Sequence, residues 1–382
     1  MAQQILSSDV TEARNFFPAT EAMAYFNTAA VGLASSAVAA AYHDYIDDWT
    51  TFGLDWVRGE TAAEDARTWV AEMIGADASD IALIASVSAA AGLVAAQFGQ
   101  AHEGQNVMIG EREYSSNHFP WRLLARRGYE VRQVPFRNGG LEPEDVAGHV
   151  DDRTQLVAFS AVQTATGHRS DIPGISALAR NVGALVFVDG SQIVGAADIS
   201  SDLGFVDVLA TADHKYLMNA GRGLGYCYLS SQAQHRFLPM NAGWKAGAVP
   251  FESFFGPTME LSTTASRFDN SVSWLAAIGN QASLSPFITF GHDAIYERNR
   301  ELSDLLRVAL ADAGWQPVDL PEANRSTIVS VPLRGADPVS LIADLKRRGV
   351  ICSARDGNLR LAVHFYNHED DIVRLIEALS ET

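Results

Sequence analysis

Short apolar runs rich in β-branched residues alternate with helical stretches along the first two thirds of the chain, and this alternation limits the fold most strongly. Residues 184–188 are almost continuously apolar, as strands buried in a parallel sheet are, and a helical stretch at residues 172–182 precedes them. Further strands are predicted at residues 81–85, 106–110, 156–160, 206–210 and 225–229, and helices at 88–98 and 118–127. The pattern predicts an α/β fold in which helices cover a mostly parallel sheet.

The character of the sequence changes after residue 266. A long helical stretch at residues 269–312 is followed by strands at 327–331, 350–353 and 359–365 and by helices at 338–348 and 369–379. We therefore expect a large domain at residues 21–266 and a small α+β domain at residues 267–382, with residues 1–20 packed beside the small domain. The chain has 382 residues, 47% of them hydrophobic, which is enough for two such cores.

The formal net charge of −18 limits the possible partners. A strongly acidic protein repels nucleic acid and anionic membranes, so we expect neither as a partner. No apolar run reaches the length of a membrane span, and the polar residues 1–11 lack the pattern of a secretory signal. These features predict a cytoplasmic protein, and they leave room for a local basic pocket that binds an anionic ligand.

The sequence has only two cysteines, Cys227 and Cys352. Two cysteines cannot form a disulfide framework or a cysteine zinc cluster, and no predicted helix carries paired histidines on one face. We therefore expect no metal site. Both cysteines lie in predicted strands, and we interpret them as small buried core residues.

Lys215 follows the predicted strand at residues 206–210 and precedes a glycine-rich stretch at residues 221–225. A lysine amine at such a place can condense with an aldehyde to form an imine and so carry a cofactor covalently. A lone lysine is more commonly a surface residue, so this interpretation needs support from other parts of the sequence.

Three other segments give that support, because each follows a predicted strand. Asp189 ends the apolar run at residues 184–188, where a carboxylate can keep a pyridine nitrogen protonated. Val87 and Ser88 open a helix whose free N–H groups and serine hydroxyl can bind a phosphate, and Tyr114 can stack on an aromatic ring. Taken singly, these segments also suit a turn, a helix cap and simple packing. Together they fall at the carboxyl ends of strands, the edge where open α/β sheets bind ligands.

The combination resembles the class V aminotransferase group of fold-type I enzymes that use pyridoxal 5′-phosphate (PLP). That group includes cysteine desulfurases, selenocysteine lyases, kynureninases and isopenicillin-epimerase-like proteins. The resemblance starts at residues 25–30, Tyr-Phe-Asn-Thr-Ala-Ala, and ends at residues 359–367, Leu-Arg-Leu-Ala-Val-His-Phe-Tyr-Asn. Its most specific elements are Asp189-Gly190-Ser191-Gln192 and His214-Lys215. It implies PLP as cofactor and the PLP-transferase fold of type I, with a mostly parallel seven-stranded sheet in the large domain.

The resemblance implies cofactor contacts position by position. Lys215 corresponds to the Schiff-base lysine and Asp189 to the partner of the pyridine nitrogen. Tyr114 takes the ring-stacking position, where many relatives have histidine, and Gln192 corresponds to the residue that hydrogen-bonds the phenolic oxygen of PLP. The remaining candidates for the phosphate and for polar contacts are Val87, Ser88, His214, Thr164, where relatives often have asparagine, and Ser271.

The resemblance also implies how a substrate is held and how the chain assembles. Arg360 matches the arginine that binds the α-carboxylate of an amino-acid substrate, and Arg355 is a second candidate for binding an anion. Active sites of the family lie between two subunits, with residues such as those around Ser271 reaching across. The resemblance therefore implies a homodimer.

The cysteines and one lysine-containing segment bear on the reaction. Desulfurases carry a nucleophilic cysteine on a loop well before the carboxylate-binding arginine, whereas Cys352 lies only eight residues before Arg360 and that loop is missing. Residues 215–221, Lys-Tyr-Leu-Met-Asn-Ala-Gly, look most like the corresponding kynureninase sequence. These features favour a lyase that cleaves a C–S or C–C bond at the β-carbon of an amino acid.

Other functions stay open. An aminotransferase or an epimerase of the same family uses the same residues, and fold alone does not choose among these reactions. A catalytically silent binding protein with the PLP fold is the alternative outside enzymes, against which the joint presence of Lys215, Asp189 and Arg360 argues. A nicotinamide dehydrogenase is rejected, because a strand and not a helix follows the glycines of residues 221–225.

Overall fold

The computed structural model describes residues 9–219, 221–256 and 259–381. The strands are β1 (Ala24–Tyr25), β2 (Ile81–Ile84), β3 (Asn106–Gly110), β4 (Glu130–Val134), β5 (Thr154–Ser160), β6 (Leu185–Asp189), β7 (Val208–Ala212), β8 (Gly225–Leu229), β9 (Ile328–Pro332), β10 (Val350–Ile351), β11 (Ser353–Arg355) and β12 (Asn358–Ala362). The α-helices are α1 (Ala19–Ala22), α2 (Ser36–Phe52), α3 (Trp56–Ile74), α4 (Val87–Ala95), α5 (Phe119–Arg122), α6 (Pro143–Ala147), α7 (Ile172–Asn181), α8 (Ser200–Leu203), α9 (Ser231–Arg236), α10 (Trp274–Ser283), α11 (Ser285–Phe290), α12 (His292–Asp312), α13 (Pro338–Arg347) and α14 (Glu369–Ser380).

Seven strands form the main sheet, in the order β2-β8-β7-β6-β5-β3-β4. Strand β8 runs antiparallel to both of its neighbours, and all other pairs are parallel, as the sequence predicted. The register places Ser160 beside Asp189 and Asp189 beside Ala210. The ends of β5, β6 and β7 therefore meet at one edge of the sheet, where polar residues follow buried apolar ones.

A smaller antiparallel sheet, in the order β11-β12-β9, follows later in the chain. Its apolar core includes Leu302, Val329, Leu361 and Leu375, from both strands and helices. Two chain segments from the N-terminal end join this region. Strand β1 pairs in parallel with β10, and the guanidinium of Arg14 lies 2.7 Å from the Asp371 carboxylate. Helix α10 packs with the core of the main sheet instead. The division at residues 20 and 266 stays a prediction.

Two helices that flank the main sheet begin with side-chain caps. The Ser86 hydroxyl accepts a hydrogen bond from the backbone N–H of Ala89 and so starts α4. The Asp171 carboxylate accepts from the N–H of Gly174 at the start of α7, where Pro173 is tolerated because the first turn needs no N–H donor. These caps fix where the first turn of each helix lies relative to the end of the preceding strand.

Three predicted elements differ in the structure. The stretch at residues 269–312 forms three helices, because Pro286 lies in the first turn of α11 and Gly291, with φ of 84°, separates α11 from α12. The predicted strand at residues 350–353 is interrupted at Cys352, which lies between β10 and β11. The predicted helix at residues 118–127 is α-helical only in α5 and continues as a 3₁₀ helix.

Candidate active site

Lys215 lies three residues beyond the end of β7, at the edge of the main sheet. It is half-buried and lines a cavity of about 160 Å³. The other residues of the lining are Ala29, Ala30, Val31, Tyr114, Thr164, His214, Arg222, Arg355 and Arg360. A larger cavity of about 690 Å³ beside α4 and α5 contains no lysine. The small cavity is therefore where the chemically reactive side chains converge.

The electrostatic surroundings of Lys215 favour its neutral amine. Burial lowers the pKa of Lys215 to about 8; the negative charge of Asp189 opposes this effect, and the positive charges of Arg360 and Arg222 add to it. Within the described ranges, Lys215 makes no ion pair with a carboxylate. At neutral pH the amine is thus a better nucleophile toward a carbonyl carbon than an ordinary lysine.

Tyr114 lies over the end of the Lys215 side chain. The Nζ atom of Lys215 is 5.5 Å from the centre of the Tyr114 ring, and 51% of Tyr114 is exposed. An open aromatic face at this distance offers a stacking surface for a planar ring bonded to the amine.

Asp189 ends β6 and is buried. Its Oδ1 accepts a hydrogen bond of 2.9 Å from the backbone N–H of Ser191. Since the charge of Asp189 reaches Lys215, the acid and the amine share one small volume of the protein. A carboxylate there can hold a cationic ring nitrogen.

The N-terminus of α4 forms another part of this edge. Val87 and Ser88 are in its first turn, and the Ser88 hydroxyl lies 3.0 Å from the Ser86 hydroxyl. Ser88 also borders the larger cavity beside α5. Backbone N–H groups and a hydroxyl at a helix N-terminus are suited to an anionic group such as a phosphate.

A buried acid supports the histidine next to Lys215. Asp213 lies 3.6 Å from Nδ1 of His214 and accepts a hydrogen bond of 2.7 Å from the side-chain amide of Asn219. Burial raises the pKa of Asp213 to about 6, against the effect of these contacts. The carboxyl group of Asp213 thus lies beside His214, which lines the cavity.

Thr164 connects Gln192 to Arg360. Its hydroxyl accepts hydrogen bonds from Nε2 of Gln192 at 3.0 Å and from Nη1 of Arg360 at 2.7 Å. Nε2 of Gln192 also donates to the carbonyl oxygen of Ala29. Thr164 therefore makes a polar contact with two predicted site residues.

Arg360 lies on β12 and is almost fully buried, with 2% of its surface exposed. Its Nε donates to the Ser353 hydroxyl at 3.2 Å. Burial, together with the nearby charge of Arg355, lowers the pKa of Arg360 to about 10. A buried arginine without an acid beside it is prepared for an anionic ligand.

Two residues of the site had no predicted role. Glu113 is buried and accepts from the Ser160 hydroxyl, from the Ser160 N–H at 3.0 Å and from Nε2 of Gln163 at 2.8 Å. Burial raises the pKa of Glu113 to about 7. Arg222 lines the cavity from the glycine-rich stretch. An acid directly before the predicted stacking residue was the available sign for Glu113; no sequence sign pointed to Arg222.

Ser271 and the two cysteines lie apart from this cavity. Ser271 is exposed and is not part of the lining, so its predicted contact with a neighbouring subunit stays a prediction. Cys227 and Cys352 are buried, and burial raises the pKa of each thiol to about 12. Neither thiol lines the cavity at Lys215.

The residues at this edge fit PLP. An amine, a carboxylate, an aromatic face and a helix N-terminus suit, in turn, its aldehyde, ring nitrogen, ring and phosphate. Several buried polar atoms have no hydrogen-bond partner among the described residues. They include Oε1 of Gln192 and Nη2 of Arg360, which are therefore available to pair with bound molecules. The fold and this set of residues define the class of protein as a PLP-dependent enzyme of fold type I.

Comparison with known proteins gives the family. The model of the family "Aminotransferase class-V" matches residues 24–375, and the chain belongs to that family. An isopenicillin N epimerase from Amycolatopsis lactamdurans is 30% identical over 345 residues, which cover 83% of this chain and 84% of the relative. The predicted family and the PLP cofactor are confirmed.

Solved structures support the same fold. An apo cysteine desulfurase from Thermococcus onnurineus NA1 has a TM-score of 0.82 and 21% identity, over 100% of this chain and 99% of the other. The cystine C–S lyase C-DES, bound to its product cysteine persulfide, has a TM-score of 0.83 and 19% identity, over 96% and 99%. The same lyase with glycine covalently linked to its PLP cofactor has a TM-score of 0.85. The predicted fold type I is confirmed.

Within residues 9–219, 221–256 and 259–381, three or more His, Cys, Asp or Glu side chains nowhere form a group that could hold a metal ion. None of the helices in these ranges combines the length and the apolar character that a membrane span needs.

Proposed function

We propose that this enzyme is a lyase that cleaves a C–S or C–C bond at the β-carbon of an amino acid, with PLP carried on Lys215. The observation that carries the proposal is the composition of the cavity. Lys215 and Arg360 share its lining, and no thiol does. A persulfide mechanism needs a mobile, reactive thiolate, whereas buried thiols with a raised pKa react poorly.

The substrate would be held by its α-carboxylate on Arg360. Nη1 and Nε of this guanidinium are fixed by Thr164 and Ser353, and Nη2 remains to donate to the carboxylate. The α-carbon would then lie next to Lys215. Once the amino group of the substrate has replaced the Lys215 amine on the aldehyde carbon of the cofactor, the freed, neutral amine would take the α-proton. When bound, PLP supplies an electron sink for negative charge at the α-carbon, and Asp189 keeps the ring nitrogen protonated.

The remaining predicted residues would hold the cofactor. Tyr114 covers the ring, and Gln192 reaches the phenolic oxygen, with Thr164 orienting the amide. The phosphate contacts are assigned to Val87, Ser88 and His214, with Ser271 contributing from the neighbouring subunit. Arg355 is assigned to a substrate anion.

Epimerase or aminotransferase activity is the second candidate. It is supported by the isopenicillin N epimerase relative, with 30% identity over most of both chains. Removal of the α-proton is common to all three reactions, so the residues described above serve each of them. The reactions differ in what happens after that proton has left.

The products of a panel of amino acids test the proposal. The PLP-loaded enzyme is incubated with single L-amino acids, and pyruvate, alanine, sulfide, keto acids and D-amino acids are measured. Release of pyruvate or alanine with loss of the β-substituent supports a lyase. A keto acid that retains the side chain, formed together with stoichiometric conversion of the cofactor to its amine form, would replace the lyase by an aminotransferase. A D-amino acid as sole product would establish an epimerase.

We further propose that the enzyme is a homodimer and acts in the cytoplasm. Exposed apolar side chains cluster within residues 238–259, among them Leu238, Met240, Phe255 and Met259. A soluble monomer rarely exposes so much apolar surface, and a second copy of the chain would cover it. Sedimentation of the PLP-loaded enzyme should give a dimer, and an active PLP-loaded monomer would contradict the assembly.

A further inference from the structure

The cavity at Lys215 is strongly basic within an acidic protein. Its lining contains Lys215, His214, Arg222, Arg355 and Arg360, and none of the described residues that form this lining is Asp or Glu. The whole chain, by contrast, carries a formal charge of −18. Grouping three arginines here costs electrostatic free energy, which bound anions can offset.

Arg355 and Arg360 face the same side of one hairpin. Strand β11 pairs with β12 so that Ser353 lies opposite Arg360 and Arg355 lies opposite Asn358. Because side chains alternate along a strand, Arg355 is on the face of the sheet that Ser353 and Arg360 occupy. The nearness of the two guanidinium groups also follows from the effect of Arg355 on Arg360, whose pKa it lowers.

The acid next to Arg355 in sequence does not neutralise it. Asp356 pairs with Arg112 at 2.7 Å. The Arg355 guanidinium donates a hydrogen bond of 2.7 Å to the carbonyl oxygen of Ala354. Among the residues that the structure describes, Arg355 makes no ion pair, although acids are abundant in the chain.

Arg222 lines the same cavity from the segment that follows β7. It is exposed, follows the glycine-rich stretch after Lys215 and is close enough for its charge to act on Lys215. In the described part of the chain, Arg222 also lacks an ion-pair partner. The cavity thus has two cations, Arg355 on the hairpin and Arg222 in the glycine-rich stretch, that neither the cofactor phosphate nor the substrate α-carboxylate requires.

The anions expected at the site are fewer than its cations. The PLP phosphate is assigned to the first turn of α4 and His214, and the substrate α-carboxylate to Arg360. From this difference we propose that the substrate is an α-amino acid with a second anionic group, a carboxylate or sulfinate, on its side chain, bound by Arg355 and Arg222. The inference rests on the proposed function and specifies its substrate class.

Matched amino acids that differ only in side-chain charge test the inference. Dissociation constants of L-aspartate, L-asparagine, L-glutamate and L-glutamine are measured from the change in the visible absorbance of the PLP-loaded enzyme. The wild type should bind at least one acid about tenfold or more tightly than its amide, since charge-assisted hydrogen bonds contribute that much. The preference should weaken as salt is raised, because Arg222 and Arg355 are exposed.

Variants assign the preference to residues. R355Q and R222Q should each reduce the preference for the acid by roughly fivefold or more while leaving the affinity for the amide within about twofold. The control is R300Q, which removes the same charge from an exposed arginine of α12 outside the cavity. Equal binding of acid and amide by the wild type, or a preference that survives both substitutions, overturns the inference.

Two further outcomes are decisive. If R222Q releases PLP and leaves the preference intact, Arg222 belongs to the cofactor phosphate and its assignment to the substrate is wrong. If none of the amino acids binds, the inferred substrate class is also wrong. The product assay with the amino-acid panel tests the lyase proposal separately. If the site prefers acids but forms keto acids, the lyase proposal is wrong and the inferred substrate class still holds.

Discussion

Two of the three lysines in this chain, Lys215 and Lys245, have limited contact with solvent, and they differ in what surrounds the amine. Lys245 is 4% exposed, and its Nζ contacts the Glu60 carboxylate closely and lies 3.7 Å from Glu64. Lys215 has Arg222 and Arg360 nearby and Asp189 as the opposing charge. Lys346 is exposed on α13.

The difference shows how one residue type serves two purposes. A buried lysine beside a carboxylate is held in an ion pair whose disruption leaves a charge unpaired, here close to Trp244, whose ring centre lies 5.8 Å from the amine. A lysine without such a partner gains neutral character, which is the form that attacks carbonyls. Burial alone would not have distinguished them; the neighbouring charges do.

Loss of Lys215 should have the largest effect. Borohydride reduction of the PLP-loaded wild type, followed by peptide mass spectrometry, should find the cofactor on Lys215. K215A should carry no covalent PLP and should lose turnover, because both the attachment point and the α-proton acceptor are removed. K346A is the control and should load normally. A PLP adduct on Lys245 or Lys346 in the wild type would contradict the assignment of Lys215 as the attachment site.

Substitution of Asp189 should have the second-largest effect on turnover. D189N should retain PLP on Lys215 but slow turnover by roughly 10²–10³-fold, the loss typical of one preorganised electrostatic contact. The amide keeps the shape of the acid but no longer holds the ring nitrogen protonated. Turnover is compared at saturating substrate with the covalent cofactor content measured in the same samples. Activity within a few-fold of wild type would remove Asp189 from the proposed mechanism.

Lys245 should affect stability instead of chemistry. K245M leaves the buried Glu60 carboxylate without its cation, although Trp274 still donates to it at 2.6 Å. Removing one partner of a buried pair costs about 3–5 kcal/mol, measured here as the free energy of unfolding in urea. The double variant E60Q/K245M should recover part of the loss. A cost below about 1 kcal/mol for K245M would mean that the pair is not structural.

The fold and the centre of the site were predictable because both depend on local patterns. Lys215, Asp189 and the start of α4 each follow an apolar strand, and parallel strands bring their ends together without further information. Arg222 had no such pattern, since the cavity forms only when a glycine-rich stretch and a hairpin more than 100 residues away come together in the folded chain. The helical stretch after residue 269 was predicted as one unit for another reason. Its helical periodicity continues past Pro286 and Gly291, although these two residues divide it into separate helices.

The pH dependence of PLP attachment tests whether the charges around Lys215 favour its neutral amine. The neutral amine reacts, so attachment to the apo enzyme should quicken as pH rises toward about 8 and level off above it. In R222Q a cation near the amine is gone, the protonated amine is less disfavoured, and the pKa of Lys215 rises. The profile should therefore move to higher pH. The rate of attachment is measured by borohydride trapping. An unchanged pH profile in R222Q would mean that the charge of Arg222 does not affect the pKa of Lys215.

The smallest effect is expected at Cys352. This thiol lies between β10 and β11, is 7% exposed, and burial raises its pKa to about 12, so it is almost wholly protonated at neutral pH. C352A, and the double change with C227A, should keep most of the activity and cost about 1 kcal/mol of stability per site, as for a small buried side chain.

By contrast, R360A should raise KM strongly, because the substrate loses its carboxylate anchor. If C352A instead lost turnover and a persulfide were trapped on Cys352 in the wild type, Cys352 would be a catalytic nucleophile and the prediction for the cysteines would be wrong.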